Sequence, residues 1–494
     1  MEKQNYNHLT RTFQRLSRFD HLSAIAGWDM FTNMPPNGST ARGEALAELS
    51  VLQHQILTDK KIATLLQAAV QENLNDVERA NLREMTRQYQ EAILLPASLV
   101  EEKSLVGTRC EHGWRTQRPA NDWQGFSTNL KEVVRVSREE AKLRAEAKGK
   151  SPYDALLDIY EPGMSSAKLD VLFGDLRTWL PDLLQKVVDK QAKESVITPV
   201  GPFATQDQRE LGLETMKLLG FDFNGGRLDV SAHPFCGGVP EDVRITTRYD
   251  ESDLVSALFG VIHETGHARY EQNLPREWLG QPVALARSTA IHESQSLFFE
   301  MQLGRSKEFL KRLLPMVTAR FGKQPAFEST NFTAVNQRVE RGFIRVDADE
   351  VSYPAHVVLR YEIERALIDG EIEVEDIPAL WDEKMQQWLG LSTKDNFRNG
   401  CMQDIHWTDG AFGYFPSYTL GAMYAAQLFN AAKCALPQLD SDIAEGNFSA
   451  LFDWLRQNIW QHGSRFTTSE LITNATGEDL NPLYFRKHLE ARYL

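Results

Sequence analysis

The 494-residue chain is 42% hydrophobic and 25% charged, ordinary values for a globular protein and ample for a large core. Its formal net charge of −14 argues against nucleic acid as a partner. The four cysteines (Cys110, Cys236, Cys401, Cys434) form no C-x-x-C pair, the first residues carry no apolar signal region, and no run reaches the length of a membrane span; a cytoplasmic protein with no membrane partner is expected.

Hydrophobic periodicity predicts an amphipathic helix over 6–26, with Leu9, Phe13, Leu16, Phe19 and Leu22 on one face. A turn at 33–38 and a helix through Leu46, Leu49 and Leu52 follow, with Trp28 and Met34 as core anchors. From 60 to about 150 the pattern is helical and highly charged, and the runs Arg79–Arg87 and Lys131–Lys148 read as solvated faces held by i,i+4 pairs. Gly149–Pro152 ends the second run, Tyr153–Tyr160 follows, Glu161-Pro162-Gly163 turns, Ser165 or Ser166 starts another helix toward 191, and 194–203 is a loop. The best strand signal is Asp242–Tyr249, after a turn-rich stretch at 231–238; a strand there would give an extended peptide an edge to pair with. Helical patterns resume at 286–304, 306–321, 327–340, 353–368, 376–389, 417–436, and near 447–463 and 482–492. No repeat or linker interrupts the chain. A single mainly helical domain over 1–494 is expected, with a helical N-terminal part to about 200, a site-bearing part over about 230–425, and a small sheet beside the site.

Just after that strand the sequence reads His263-Glu264-Thr265-Gly266-His267, an H-E-x-x-H pattern. Residues four apart on a helix share a face, so His263 and His267 can point two imidazoles at one metal ion, with Glu264 near enough to take a proton from a water held there. Ser252 is the expected N-cap, Asp253 suits the positive end of the helix dipole, and Asn273-Leu274-Pro275 supplies the stop. Gly266 in mid-helix disfavours a purely structural helix and suggests close approach of a neighbour or substrate. A third ligand is needed. Glu293 and Glu300 are candidates, His292 competes, and Glu271 is too near on the same helix; Glu293, in a polar His292-Glu293-Ser294 trio before an apolar run, is preferred. His406, Tyr414 and Tyr418 are candidate donors to a developing oxyanion. For a substrate carboxylate the candidate clamps are Arg244, Arg248, Arg341 and Arg345; beside Asp347 and Asp349, Arg345 reads first as an exposed or salt-bridged residue.

A set of motifs in order then resembles the M32 metallocarboxypeptidases of the carboxypeptidase Taq type. They are His233-Pro234-Phe235; Asp242-Val243-Arg244-Ile245-Thr246; the H-E-x-x-H at 263–267; His292-Glu293-Ser294-Gln295; Ile344-Arg345 through Ala348-Asp349; and Gly400 through Gln403-Asp404-Ile405-His406-Trp407. Trp28-Asp29, Met34-Pro35 and Tyr160-Glu161-Pro162-Gly163 also resemble the family, so the likeness spans nearly the whole chain. The resemblance implies a mainly α, neurolysin-like gluzincin fold with a deep groove. It also implies a cytoplasmic homodimer that removes C-terminal residues from peptides with broad specificity, using one divalent metal, zinc or else cobalt. Carried over residue by residue, it implies His263, His267 and Glu293 as ligands, Glu264 as general base, Arg345 as carboxylate clamp, Asp242, Arg244 and Thr246 along the substrate, and His406 lining the site, with the choice between Tyr414 and Tyr418 left open. Two other readings remain at this point: a metallo-oligopeptidase with the same site and no clamp, and a non-catalytic helical scaffold.

Overall fold

The computed structural model describes residues 3–494. Helices dominate, and among the described residues the one sheet has three strands: β1 (Gly226–Val230), β2 (Cys236–Val239) and β3 (Asp242–Thr247). The expected strand is β3, and it is central, parallel to β1 and antiparallel to β2. Both its edges are therefore taken, and the edge anticipated for a peptide does not exist on this strand; β1 and β2 are the outer strands. The turn-rich stretch before it hides β2, a four-residue strand whose two glycines carry little strand propensity. Gly238 is required there: its φ is +92°, and a Cβ would fall 2.0 Å from the Asp242 carbonyl oxygen.

The H-E-x-x-H helix, Leu254–Gln272, follows directly. Asp253, not Ser252, is its cap: the carboxylate accepts from the Val255 and Ser256 amides at 2.9 and 3.2 Å. Ser252 is turned to Asp250, which accepts from its amide and hydroxyl. The first helix runs Gln4–Thr32, beyond the predicted end, and carries Trp28 into a buried position; Met34 is only partly buried. Trp28 lies under two guanidiniums, with Arg244 4.6 Å and Arg227 5.4 Å from its ring, so the first helix is pinned to the sheet by cation–π contact.

Three further expectations are corrected. The helix predicted over 327–340 is only Ser329–Asn336; beyond it the Val339 amide donates to the Gln191 side chain and the Glu340 amide to Asp349, where a continuing helix would need backbone acceptors. The stretch predicted as one helix over 286–304 begins at Thr289, capped by Ser288, and changes at Phe298 into a π-helix ending at Gly304. The charge runs are not simply solvated faces either. Arg144 and Glu140 pair with each other inside the structure, Glu140 also takes Lys103, and Glu84 meets Arg287 in a buried ion pair at 3.0 Å. Charge at helical spacing looks the same in sequence whether it faces water or a neighbouring helix. No helix of the described residues is long and apolar enough to cross a membrane.

Candidate active site

Three helices cross to make the site, and two glycines set how close they come. A Cβ on Gly266 would lie 2.5 Å from the Gln295 carbonyl oxygen and 2.6 Å from the Ser296 Cα, so only glycine lets the H-E-x-x-H helix touch the helix Thr289–Leu297. A Cβ on Gly421, in the helix Pro416–Ala435, would lie 2.8 Å from Glu293 Cγ. Glu293 is thereby wedged between two helices and aimed at the histidines.

His263, His267 and Glu293 bring one potential ligand atom each to within 4.8 Å of one another. The His263 and His267 rings are 5.0 Å apart, and Glu293 Oε2 lies 3.5 Å from His267 Nε2. Two imidazoles and a carboxylate are a zinc-type donor set that leaves a fourth position open. Burial lowers His267 to about 4, which keeps it neutral. On His263 burial is outweighed by the bond to Glu300 and by Glu293 and Glu264, which raise it to about 10. The same carboxylates that raise it would favour a cation at this position. Glu264 is nine-tenths buried, and its Oε2 has no hydrogen-bond partner. Burial raises its carboxyl to about 7. An orphaned buried carboxylate oxygen beside an open ligand position fits a site made for a cation and a water molecule.

The rival ligands are all present, one layer further out. Glu300 Oε2 accepts from His263 Nδ1 at 2.9 Å, and Arg305 donates to its other oxygen at 3.3 Å. His292 Nδ1 is 2.7 Å from His267 Nδ1, and His292 Nε2 is 2.7 Å from Glu271. If His267 Nε2 is left bare for a cation, the consistent proton pattern has His267 Nδ1–H donating to His292, and His292 Nε2–H donating to Glu271. Each ligand imidazole is thus oriented by an outer partner. Glu271 and His292 also line a cavity of about 600 Å³ between the first helix and β2, with Asp20, His21, Cys236 and Glu241.

Arg345 is buried, with its side chain 6% exposed. Its partner is neither Asp347 nor Asp349: Nε donates to Asp404 at 2.9 Å and Nη1 to the Tyr353 hydroxyl at 3.1 Å. Nη2 has no hydrogen-bond partner among the described residues. The guanidinium lies 4.9 Å from the Tyr418 ring and 5.5 Å from Phe415. His406 Nε2 is 3.1 Å from the Tyr418 hydroxyl, and burial lowers its imidazole to about 4, so it is neutral. The Tyr414 ring is 5.3 Å from His406 and 5.4 Å from Tyr418. The candidate donors and the clamp therefore form one group.

The other positions are placed differently. Arg244 is held by Asp242 through two hydrogen bonds of 2.9 and 2.7 Å, and the Thr246 hydroxyl is fully buried between Ser231 and the Phe235 amide. These contacts hold the three residues in place within the β3 region and its turn. Arg248 is exposed at the strand end, and Arg341 donates to Gln185. Sequence reasoning missed Tyr353, Asp404 and Arg360 as parts of the site. Asp404 stood inside a quoted motif, and a buried Arg in mid-helix such as Arg360 itself signals a partner.

A mainly helical fold enclosing an H-E-x-x-H helix and a two-histidine, one-carboxylate site defines a metallopeptidase. The chain belongs to the family described as carboxypeptidase Taq (M32) metallopeptidase, whose sequence model matches residues 8–493. It is 39% identical over 495 residues to thermostable carboxypeptidase 1 of Thermus thermophilus, with 97% of each chain covered. Among solved structures it resembles Trypanosoma cruzi metallocarboxypeptidase 1 (TM-score 0.98, 50% identity, 100% of both chains). It also resembles the Pyrococcus furiosus carboxypeptidase (TM-score 0.96, 32% identity, 100% of both chains). The protein is a metallocarboxypeptidase of mainly helical fold.

Proposed function

We propose that this metallocarboxypeptidase removes single C-terminal residues from peptides with broad specificity, using one divalent ion, zinc in first place and cobalt in second, held by His263, His267 and Glu293. The donor set supports zinc. Bound there, the ion would supply Lewis-acid polarisation of the scissile carbonyl and of a water molecule. Glu264 takes the proton of that water and passes it to the leaving amine. Its unpartnered oxygen leaves room for the water. His406 Nε2–H donates to the Tyr418 oxygen, which leaves the Tyr418 proton free for the oxyanion; Tyr414 is the second donor beside it.

Arg345 receives the substrate's terminal carboxylate through its unpartnered Nη2 edge, and the Asp242–Thr246 segment shapes the wall along the peptide. The single observation that carries the choice of a C-terminal cut is this buried guanidinium, which an endopeptidase with the same site does not need. A cytoplasmic setting is supported by four free cysteines. A homodimer acting on free-acid peptides is inferred from family membership. The test is Arg345→Ala, assayed on a free-acid peptide and its amidated twin. The expected result is loss of the preference for the free acid, by about two orders of magnitude in kcat/KM. Equal loss on both peptides removes Arg345 from carboxylate recognition.

A further inference from the structure

Two buried arginines share one carboxylate behind the clamp. Asp404 Oδ1 accepts from Arg345 Nε at 2.9 Å, and Oδ2 accepts from Arg360 Nε at 2.7 Å. Arg360 has no exposed surface; its Nη1 donates to the His356 carbonyl at 2.6 Å, and the Trp381 ring covers it at 4.5 Å. Neighbouring Gln403 fixes the backbone of the same clamp residue. Its Oε1 accepts from the Arg345 amide at 2.8 Å, while its Nε2 donates to the Phe343 carbonyl at 3.0 Å. Two residues beyond Asp404, His406 meets Tyr418, whose ring lies against the Arg345 guanidinium. One stretch, Gln403–His406, therefore sets the guanidinium and the hydroxyl together.

The charges explain why this arrangement suits an anion. Arg345, Arg360 and Asp404 sum to one surplus positive charge, and no other carboxylate among the described residues forms an ion pair with either arginine. A buried surplus cation is unfavourable until an anion joins it. A free arginine side chain would also sample many rotamers, and fixing it on binding costs about 2 kcal/mol. Asp404 has already fixed it.

We propose that Asp404 is a positioning residue for substrate recognition. It holds Arg345 with its Nη2 edge open, while Arg360 holds Asp404, and the substrate's terminal carboxylate completes the charge balance. This rests on Arg345 being the carboxylate clamp. Asp404 acts through Arg345 and does not touch the substrate, so its effect is confined to free-acid peptides and falls on KM more than on kcat.

The test measures KM for a free-acid peptide and the inhibition constant of its amide twin. The enzymes compared are wild type, Asp404→Asn, Arg345→Ala and the double variant. Asp404→Asn is expected to raise the free-acid KM about ten- to hundredfold and leave the amide constant as in wild type. The double variant is expected to be no worse than Arg345→Ala alone, because the two residues act as one unit. If Arg345→Ala itself keeps the acid-over-amide preference, the clamp reading fails first. If Arg345→Ala abolishes the preference, the proposal is overturned by any of three results: an unchanged free-acid KM in Asp404→Asn, equal changes in both constants, or additive losses in the double variant. Should Asp404→Asn not fold, Arg360→Lys gives the same decision: a rise of about three- to tenfold in the free-acid KM alone supports the proposal, and no rise or an equal rise overturns it.

Discussion

Glu264 has a buried carboxylate oxygen with no partner, next to two imidazoles and a second carboxylate. Leaving such an atom unsatisfied costs about 1–3 kcal/mol, so its retention points to a role in chemistry more than in stability. Glu264→Gln is expected to keep the metal, since Glu264 supplies no ligand atom to the cluster, and to lower kcat by about three decades or more. Elemental analysis paired with kinetics checks this, and near-normal turnover would remove Glu264 as the base. Glu300 should behave in the opposite way. It orients His263 without joining the ligand cluster, so Glu300→Gln is expected to weaken metal affinity about ten- to hundredfold, read by competition with a chelator. An unchanged affinity would mean that the π-helix places this carboxylate for some other purpose.

The helix crossings at Gly266 and Gly421 convert sequence spacing into a site. The atoms facing a Cβ at Gly266 are backbone atoms of the opposing helix, which cannot swing aside as a flexible side chain would. Gly266→Ala is expected to destabilise the protein by about 1–3 kcal/mol and to loosen metal binding, because the helices carrying the histidines and Glu293 must part. Denaturant unfolding with a metal titration tests both, and wild-type behaviour in each would contradict the crossing argument. The sequence already flagged Gly266 as a close approach, and the neighbour turns out to be a helix. That His263 and His267 share a face was legible because helical spacing is a local property; Glu293 stood among rivals in the sequence, and the helix crossing is what brings it to the histidines. Arg345 was not legible from its surroundings in the chain, since Asp347 and Asp349 are near in sequence while its actual partner is fifty-nine residues away at Asp404. The outer strands and the π-helix were hidden for a related reason: β2 is held by pairing with β3, and the π-helix by contacts from the far end of the chain.

That far end joins the molecule together. In the last helix, Leu483–Tyr493, Arg492 donates to the Met301 and Gln302 carbonyls of the π-helix, and His488, Arg492 and Tyr493 all converge on Glu350. Glu350 is buried; burial would raise its carboxyl, but His488 and Arg492 bring it down to about 2 from an ordinary 4.5. A depressed folded-state value means that its stabilisation is full above about pH 4.5 and is lost as pH falls toward 2. Glu350→Gln is therefore expected to cost about 3–5 kcal/mol at neutral pH, with the gap to wild type narrowing below pH 4.5. Unfolding curves across pH check this, and a gap that does not change with pH would show that the charge is not what holds the last helix.

The roles proposed for the three helices, the outer partners of the histidines and the buried Arg345 add up to an enzyme that reads the end of a peptide and cuts next to it. The most direct measurement is a timed digest of one peptide as free acid and as amide, with and without chelator, with every product identified by mass. The predicted result is stepwise release of single residues from the C-terminus of the free acid, little cleavage of the amide, and loss of both activities with chelator. Internal fragments released equally from the two peptides, or cleavage that persists without metal, would contradict it.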